Sequence, residues 1–247
     1  MLKNEIDEIT MLIDETQITM TFMNKGEYAV HDLVIKGDEL EDYQYHIDNR
    51  DRYPITVNTS ELLIATKSVG RKDGLKIYWV DGSDKLSVEP IKSSKETGRS
   101  TSSFINIIHK PYSPCQLQNN DYGIHNMGIK IQNREFADIC NQANILKCNY
   151  LEISGCHSYV HFKGILPDGT YGMDSKHLSQ NHNDDDDCHL IKVKIPICTI
   201  KTLAKLHQIS HPGTLLKFFF DEYKPVKIES KIGSYGTYKI YLRNCTN

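Results

Sequence analysis

The sequence predicts an α+β fold assembled from two similar halves. Three observations carry that reading: a run in which apolar spacing switches from two to about three and a half and back, an internal repeat, and abundant aromatic and β-branched residues beside only 8 prolines. In residues 128–166 the spacing reads as strand, helix, strand, strand. Ile129 and Ile131 alternate with Lys130 and Gln132, as a half-buried strand requires. Asn133 then has the side chain to cap a helix, and Glu135 puts negative charge near its positive end. Phe136, Ile139, Cys140 and Ala143 fall at i, i+3, i+4 and i+7 and share one face; Arg134, Asp138, Asn141 and Gln142 take the other. Such a helix lies flat on a sheet. Burying Phe136 or Ile139 stabilises by about 1.5–3 kcal/mol, far more than a surface ion pair does.

The first half opens with EITMLID and QITMTFMN, two alternating runs separated by Asp14, Glu15 and Thr16, a hairpin pattern. EYAVHDLVI is a third strand. After a polar segment come the strand YPITVN and the helix SELLIATKSVGRK, where Asn58 and Glu61 have capping-box spacing. Leu62, Ala65, Thr66 and Val69 form its apolar face, with Lys67 and Arg71 one turn apart elsewhere. GLKIYWVD, KLSVEPI and SFINIIHK read as three more strands, and residues 93–103 as an exposed loop.

Periodicity stops in residues 110–126, KPYSPCQLQNNDYGIHN, which reads as a linker between a domain at 1–109 and another at 127–247. Beyond it the first half repeats. YLEISG and YVHFKGIL correspond to EITMLID and QITMTFMN, and LIKVKIP with TIKTLAKLHQI to YPITVN with SELLIATKSV. TLLKFFFDEYKPVKIESKI mirrors GLKIYWVDGSDKLSVEPI, and TYKIYLRN mirrors SFINIIHK. One gap breaks the repeat: the strand and helix GIKIQNREFADICNQANI have no counterpart before EITMLID. Either the protein dispenses with them or the sequence begins late.

At 247 residues with a net charge of -3 and a pI of about 6.4, the chain is not coated in basic charge, although a local basic face is compatible with that balance. It has no apolar run long enough to span a bilayer and no signal peptide pattern. The 7 cysteines include no CxxC pair, so buried thiols in a reducing compartment are expected, Cys140, Cys148, Cys156 and Cys198 among them.

EFADIC followed by YLEISG and HFKG, the closing run PVKIESKIGSYGTYKIYL, and NKGEYAVHDLVI resemble the sliding clamps of the proliferating cell nuclear antigen family. The resemblance covers the chain except for the absent opening strand and helix. It implies a DNA clamp fold: two clamp-type domains with antiparallel sheets outside and amphipathic helices lining the inner face of a ring, usually of three subunits, around double-stranded DNA. Such a ring tethers a DNA polymerase by topology, and encirclement needs only weak, sliding phosphate contacts. The cations placed for this are Lys67, Arg71 and Lys72 around the first helix, Arg134 on the second, and Lys201 and Lys205 on the last. Any of these could equally belong to a solvated helix face, and Asp138 and Asn141 stand where the family tends to carry basic residues. By position, the pocket that takes short hydrophobic peptides from a polymerase, nuclease, ligase or clamp loader corresponds to Met23, Tyr28, Val30, Leu117, Ile124, Pro225 and Tyr241. Ordinary core packing is the competing reading of those positions. Ring closure would pair strand edges at residues 104–109, with Phe104, Ile105 and Ile107, and at 171–179, with Tyr171, Met173 and His177.

No catalytic signature accompanies these motifs; GxSxG, HExxH and a phosphate-cradling glycine loop are all missing. The run HNDDDDCH at 182–189 has the residue types of a metal site, but not the spaced oxygens and turn glycines of a hard-cation loop. His157 and His161 fit an exposed strand face with Tyr159. The expectation is therefore a non-enzymatic processivity factor with no cofactor and no metal, working inside the cell where DNA is replicated, in a nucleus or a viral compartment. Divergence and abundant Asn, Ile and Lys suggest a virus-encoded or similarly fast-evolving clamp. The alternative is a clamp-fold interaction scaffold, such as a transcription or assembly factor, that does not encircle DNA.

Overall fold

The computed structural model describes residues 5–47, 50–67, 69–70, 73–92, 102–113, 115, 128–156, 158–178, 190–210 and 213–243. The hairpin of β1 (Glu8–Ile13) and β2 (Gln17–Met23) leads into β3 (Ala29–Lys36), followed by β4 (Tyr53–Asn58) and α1 (Thr59–Thr66). Then come β5 (Gly74–Tyr78), β6 (Lys85–Ile91) and β7 (Ser103–Asn106). The second half runs β8 (Ile129–Gln132), α2 (Asn133–Ile145), β9 (Tyr150–Gly155), β10 (Tyr159–Ile165), β11 (Tyr171–Leu178) and β12 (Ile191–Pro196). It closes with α3 (Ile197–Leu203), α4 (Leu206–Ile209), β13 (Leu215–Phe219), β14 (Val226–Ile232) and β15 (Gly236–Leu242).

These strands make an 8-stranded sheet of order β4-β1-β2-β3-β15-β14-β13-β8, a 4-stranded sheet β11-β10-β9-β12 and a 3-stranded sheet β5-β6-β7. The large sheet joins the two halves through the antiparallel pair β3 and β15, where Ile240 faces His31 and Tyr241 faces Val30. The predicted repeat is present as hydrogen-bond register. Glu8 pairs with Asn58 as Tyr150 pairs with Pro196, and the first helical amides bond equivalent carbonyls, Thr59 to Asp7 and Ile197 to Asn149. One hydrophobic cluster gathers around Ile9, Ile55, Val57, Val88 and Ile105, the other around Phe136, Phe162, Phe218, Leu151 and Ile200. Leu33 packs against both, so the helices of the two halves lie on one side of the shared sheet.

Asn58 caps α1 as expected, its side chain accepting from the amides of Ser60 (2.8 Å) and Glu61 (3.4 Å). Glu61 does not complete a capping box; its carboxylate accepts from the Asn106 amide of β7 at 3.2 Å. The helix stops at Thr66 rather than continuing to residue 72, because Gly70 and Asp73 close a turn through Gly70 N–H to Asp73 Oδ2 at 3.0 Å. Asn133 is not a cap. Its backbone amide extends the β8–β13 ladder to the Thr214 carbonyl (3.2 Å), which draws it into the first helical turn and buries its side chain. Strand pairing therefore outweighs capping there. The last predicted helix divides into α3 and α4 around Ala204 and Lys205. Cys140 and Cys148 are buried free thiols, with Cys140 raised beyond the usual thiol range by burial. Cys198 is exposed and Cys156 is disulfide-bonded, contrary to the uniform thiol expectation.

Candidate functional site

Three surfaces bring the sequence-predicted residues together. The first is the helix side. Residues 5–7 tie α1 to α3: the Thr59 hydroxyl donates to the Ile6 carbonyl at 2.7 Å, and the Thr202 hydroxyl bonds the Glu5 carboxylate. α2 packs against α3 and α4. Lys67 follows α1 and is exposed, as are Arg134 on α2 and Lys201 on α3, while Lys205 is half-buried. Arg71 and Lys72 lie outside the described residues. The outward face of α2 holds Glu135, Asp138, Asn141 and Gln142 beside Arg134, so acids outnumber the cation there. Glu135 is partnered by His177 of β11, Nδ1 to Oε1 at 3.4 Å. Lys147, exposed just past α2 in a left-handed conformation (φ 58), is a cation the sequence reading passed over. Its signal was the ordinary preference for lysine at a helix C-terminus.

The second surface is the opposite face of the large sheet at the junction. Register sets Met23 beside Val30, Val30 beside Tyr241, and continues the row to Lys227 and Phe219. Three of the predicted pocket residues thus stand side by side on β2, β3 and β15. Tyr28 joins them through its carbonyl, which accepts from Arg243 N–H at 2.8 Å, and Pro225 immediately precedes β14. Gly26 lies against the Tyr28 ring, which a Cβ at that position would approach to 2.8 Å. Val30 and Tyr241 are buried at the centre of the row, whereas Met23, Tyr28 and Pro225 are half-buried at its margins. Leu117 and Ile124 fall outside the described residues. The Lys227 ammonium sits 3.8 Å from the Phe219 ring centroid, an extension that sequence spacing did not reveal. The next row is polar: Thr21, Asp32, Lys239, Glu229, Lys217 and Lys130 follow one another across the strands.

Beneath that row, on the core side, His31 lies fully buried between Phe22 (4.8 Å) and Tyr238 (5.8 Å), with its Nδ1 hydrogen-bonded to the Tyr238 hydroxyl at 2.6 Å. Burial holds the imidazole near pKa 4, so it is neutral at physiological pH, and pushes the Tyr238 phenol upward. His31 shares the apolar parity of Ala29 and Leu33 along β3, the sequence signal that marks a buried histidine.

The third surface comprises two sheet ends. β7 closes the 3-stranded sheet and β11 the 4-stranded one, and no strand pairs along the outer edge of either among the described residues; just past β7, however, Ile107 bridges Val57 of β4 and the Ile108 amide donates to the Thr56 carbonyl at 2.8 Å, so that end of the expected 104–109 edge is engaged within the chain. Phe104 and Tyr171 project outward, each more than half exposed, while Ile105 and Met173 point into their own cores. Ile107 and His177 are half-buried. Lys163 lies 4.9 Å from the Tyr171 ring centroid, and His161 is bonded to the Asp174 carboxylate. His157 and the acidic run at 182–189 lie outside the described residues. Among the described residues no group of histidines, cysteines and carboxylates could hold a metal ion, and no helix is long and apolar enough to cross a membrane.

The chain is similar in structure to a solved protein, the proliferating cellular nuclear antigen from Entamoeba histolytica. The TM-score is 0.76 over 98% of this chain and 90% of that one, at 15% sequence identity. The chain has the PCNA-like clamp fold. No family model matches the sequence, and no curated protein matches it. The clamp fold accounts for an antiparallel sheet continuous through β3 and β15 with α1, α2 and α3 behind it.

Proposed function

We propose that the protein is a DNA sliding clamp: copies close into a ring, three being the number the fold favours, around duplex DNA and tether replication and repair enzymes. Domains at 1–109 and 127–247, joined by 110–126, are the repeating units of that ring. The observation that carries the reading is internal. β7 and β11, the free edges, are the positional equivalents of β15 and β3, which already pair inside the chain. Ser103 faces Val88 as Ile240 faces Ile228, and Asp174 faces Lys163 as Asp32 faces Thr21. Copying the internal junction outward sets Ser103 opposite Met173 of the partner subunit and Phe104 opposite Gly172 of the partner subunit. The glycine leaves room for the Phe104 ring, and backbone pairing supplies the rest of the contact.

Lys67, Arg134, Lys201 and Lys205 on the helix side supply the loose phosphate contacts that sliding requires. The row Met23, Val30 and Tyr241, with Tyr28 and Pro225, receives the hydrophobic anchor of a partner peptide from a polymerase, nuclease, ligase or clamp loader. The role is one of scaffold and tether rather than catalysis. Light scattering should give about three times the 28.3 kDa chain mass, Phe104→Asp should give a monomer, and the ring should stimulate a polymerase on long templates. A strict monomer without stimulation would overturn the proposal. One feature favours the second reading, a scaffold that does not encircle DNA: Glu135 and Asp138 on the outward face of α2. Replacing Lys67, Arg71, Lys201 and Lys205 with alanine separates the two, because a clamp loses loading or sliding and a scaffold keeps its partner.

A further inference from the structure

We propose that the outward face of the sheet β11-β10-β9-β12, the face turned away from the helices, binds single-stranded nucleic acid. The helices cover the other face: Phe136 of α2 lies 5.7 Å from Phe162 of β10 between ring centroids, and Glu135 meets His177 of β11 at 3.4 Å. Alternation directs the remaining residues of each strand outward. Register sets them in two rows, Lys176, His161, Ser154 and Lys192, then Asp174, Lys163, Glu152 and Lys194. The lysines outnumber the carboxylates. Asp174 is bonded to His161, and Glu152 is buried with Lys163 and Lys194 as its cross-strand neighbours, whereas Lys176 and Lys192 are exposed at the two ends of their row.

The first half builds the same sheet without these cations. β4-β1-β2-β3 has the matching strand order and register, and there Thr21 stands for Lys163, Val34 for Lys176, Pro54 for Lys192 and Thr56 for Lys194. Hydroxyls satisfy that face internally: Thr10 and Thr56 hydrogen-bond at 2.8 Å, and Thr21 donates to Asp32 at 2.9 Å. The architecture therefore does not require lysine at these positions, and lysine is a poor strand former whose like charges repel across neighbouring strands. Protection of a sheet edge accounts for lysine on β11 and β12 but not for Lys163 on the inner strand β10. A polyanion is the ligand that such a face complements.

Aromatic rings choose among polyanions. Tyr159, which stands where the first half has Gln17, carries the Lys176 ammonium 4.2 Å from its ring centroid, and Tyr171 carries that of Lys163 at 4.9 Å. Each is a ring face beside a cation. An incoming base stacks on the ring and displaces the ammonium toward its own phosphate. Duplex DNA keeps its base faces stacked inside and an acidic polypeptide has none to offer, so a single strand is the polyanion that uses both the ring and the charge. Pairing between copies along the β11 edge would run through backbone groups in the plane of the sheet. The face is thus open in a ring and in a monomer alike.

The test is fluorescence anisotropy of a labelled oligothymidylate of about 20 nucleotides, longer than a typical single-strand site, titrated with the full chain at several salt concentrations. Saturable binding is expected, with a duplex of equal length and a polyglutamate peptide each competing at least about tenfold more weakly. Lys176→Thr combined with Lys192→Thr should weaken binding at least about tenfold and lower the slope of log affinity against log salt by about 1.4, the value for two lost single-strand phosphate contacts. Tyr159→Gln should weaken binding at least about fivefold with the slope unchanged, which a purely electrostatic surface would not show. Both variants should keep the wild-type mass in light scattering and the wild-type urea midpoint; if the double variant fails to fold, protection of Lys176 and Lys192 from acetylation by the oligonucleotide replaces it. No binding at low salt would overturn the proposal. So would binding that is lost with Lys67→Ala and Lys201→Ala but kept in the double variant, which puts the strand on the helix side, or equal competition by the duplex or by polyglutamate. A chain that binds the oligonucleotide through this face as a strict monomer contradicts the ring and leaves the single-strand surface standing.

Discussion

Phe218 of β13 and Ile77 of β5 occupy the same place in the repeat, yet the first is sealed by α2 and the second faces solvent over nearly half its surface. Their strands have the same register against the next strand and the same lysine–glutamate pairing. Local sequence thus formed both strands, and the presence or absence of a covering element decided how much each contributes to the core. The helices differ in the same way. Position for position, Ile200 and Thr202 of α3 are buried beside α2, while their counterparts in α1, Leu62 and Ile64, are partly buried and exposed.

The largest expected effect tests that difference directly. Phe218→Ala should destabilise by about 3–5 kcal/mol through cavity formation, whereas Ile77→Ala should cost about 1 kcal/mol or less, both read from urea unfolding. Equal costs would mean that the first half is as closed as the second.

The junction between the halves gives the next largest effect. His31 is held near pKa 4 in the folded chain by desolvation, against 6.5 when exposed. Because the folded pKa of this base is lowered, the unfolded state takes up the proton first. Stability is therefore fully present above about pH 6.5 and falls as the pH drops from there toward 4, by up to about 3 kcal/mol. His31→Phe should flatten that part of a plot of urea midpoint against pH.

Equivalent helix starts offer a smaller contrast. Asn58 caps α1, but the same position before α3 is Pro196, which caps with no side chain. Asn58→Ala should cost about 1 kcal/mol. Asn133→Ala, at a site where capping was expected and does not occur, should cost well under that. The smallest effect belongs to the surface: Lys25 and Asp7 pair at 2.7 Å with both side chains more than half exposed, and Lys25→Ala should change stability by less than about 0.5 kcal/mol.

Elements with strong periodicity were legible before any coordinates. The β1–β2 hairpin, the β8–α2 unit and the β13–β15 meander follow from alternation and i, i+3, i+4 spacing alone, and so does the repeat with its single gap. The helix ends were not. Asn133 has the side chain of a cap, but a ladder bond to Thr214 took precedence, and only the neighbouring strand could reveal that. Of the candidate pocket, Met23, Val30 and Tyr241 are distant in sequence and meet through register; Phe219 and Lys227 join them for the same reason. Along the candidate edges, Phe104 and Tyr171 face outward while Ile105 and Met173 turn into their own cores, a division that the sequence reading did not draw because it grouped all of them at the interface.

The sequence by itself determined the strands, the amphipathic α2 and the duplication, because each rests on side-chain spacing within a few residues. Only the tertiary structure decided which strands became neighbours, where the two halves joined, and which apolar faces stayed open. Those outcomes depend on pairing and burial between segments as far apart as β3 and β15, and spacing within a segment carries no record of what will lie against it.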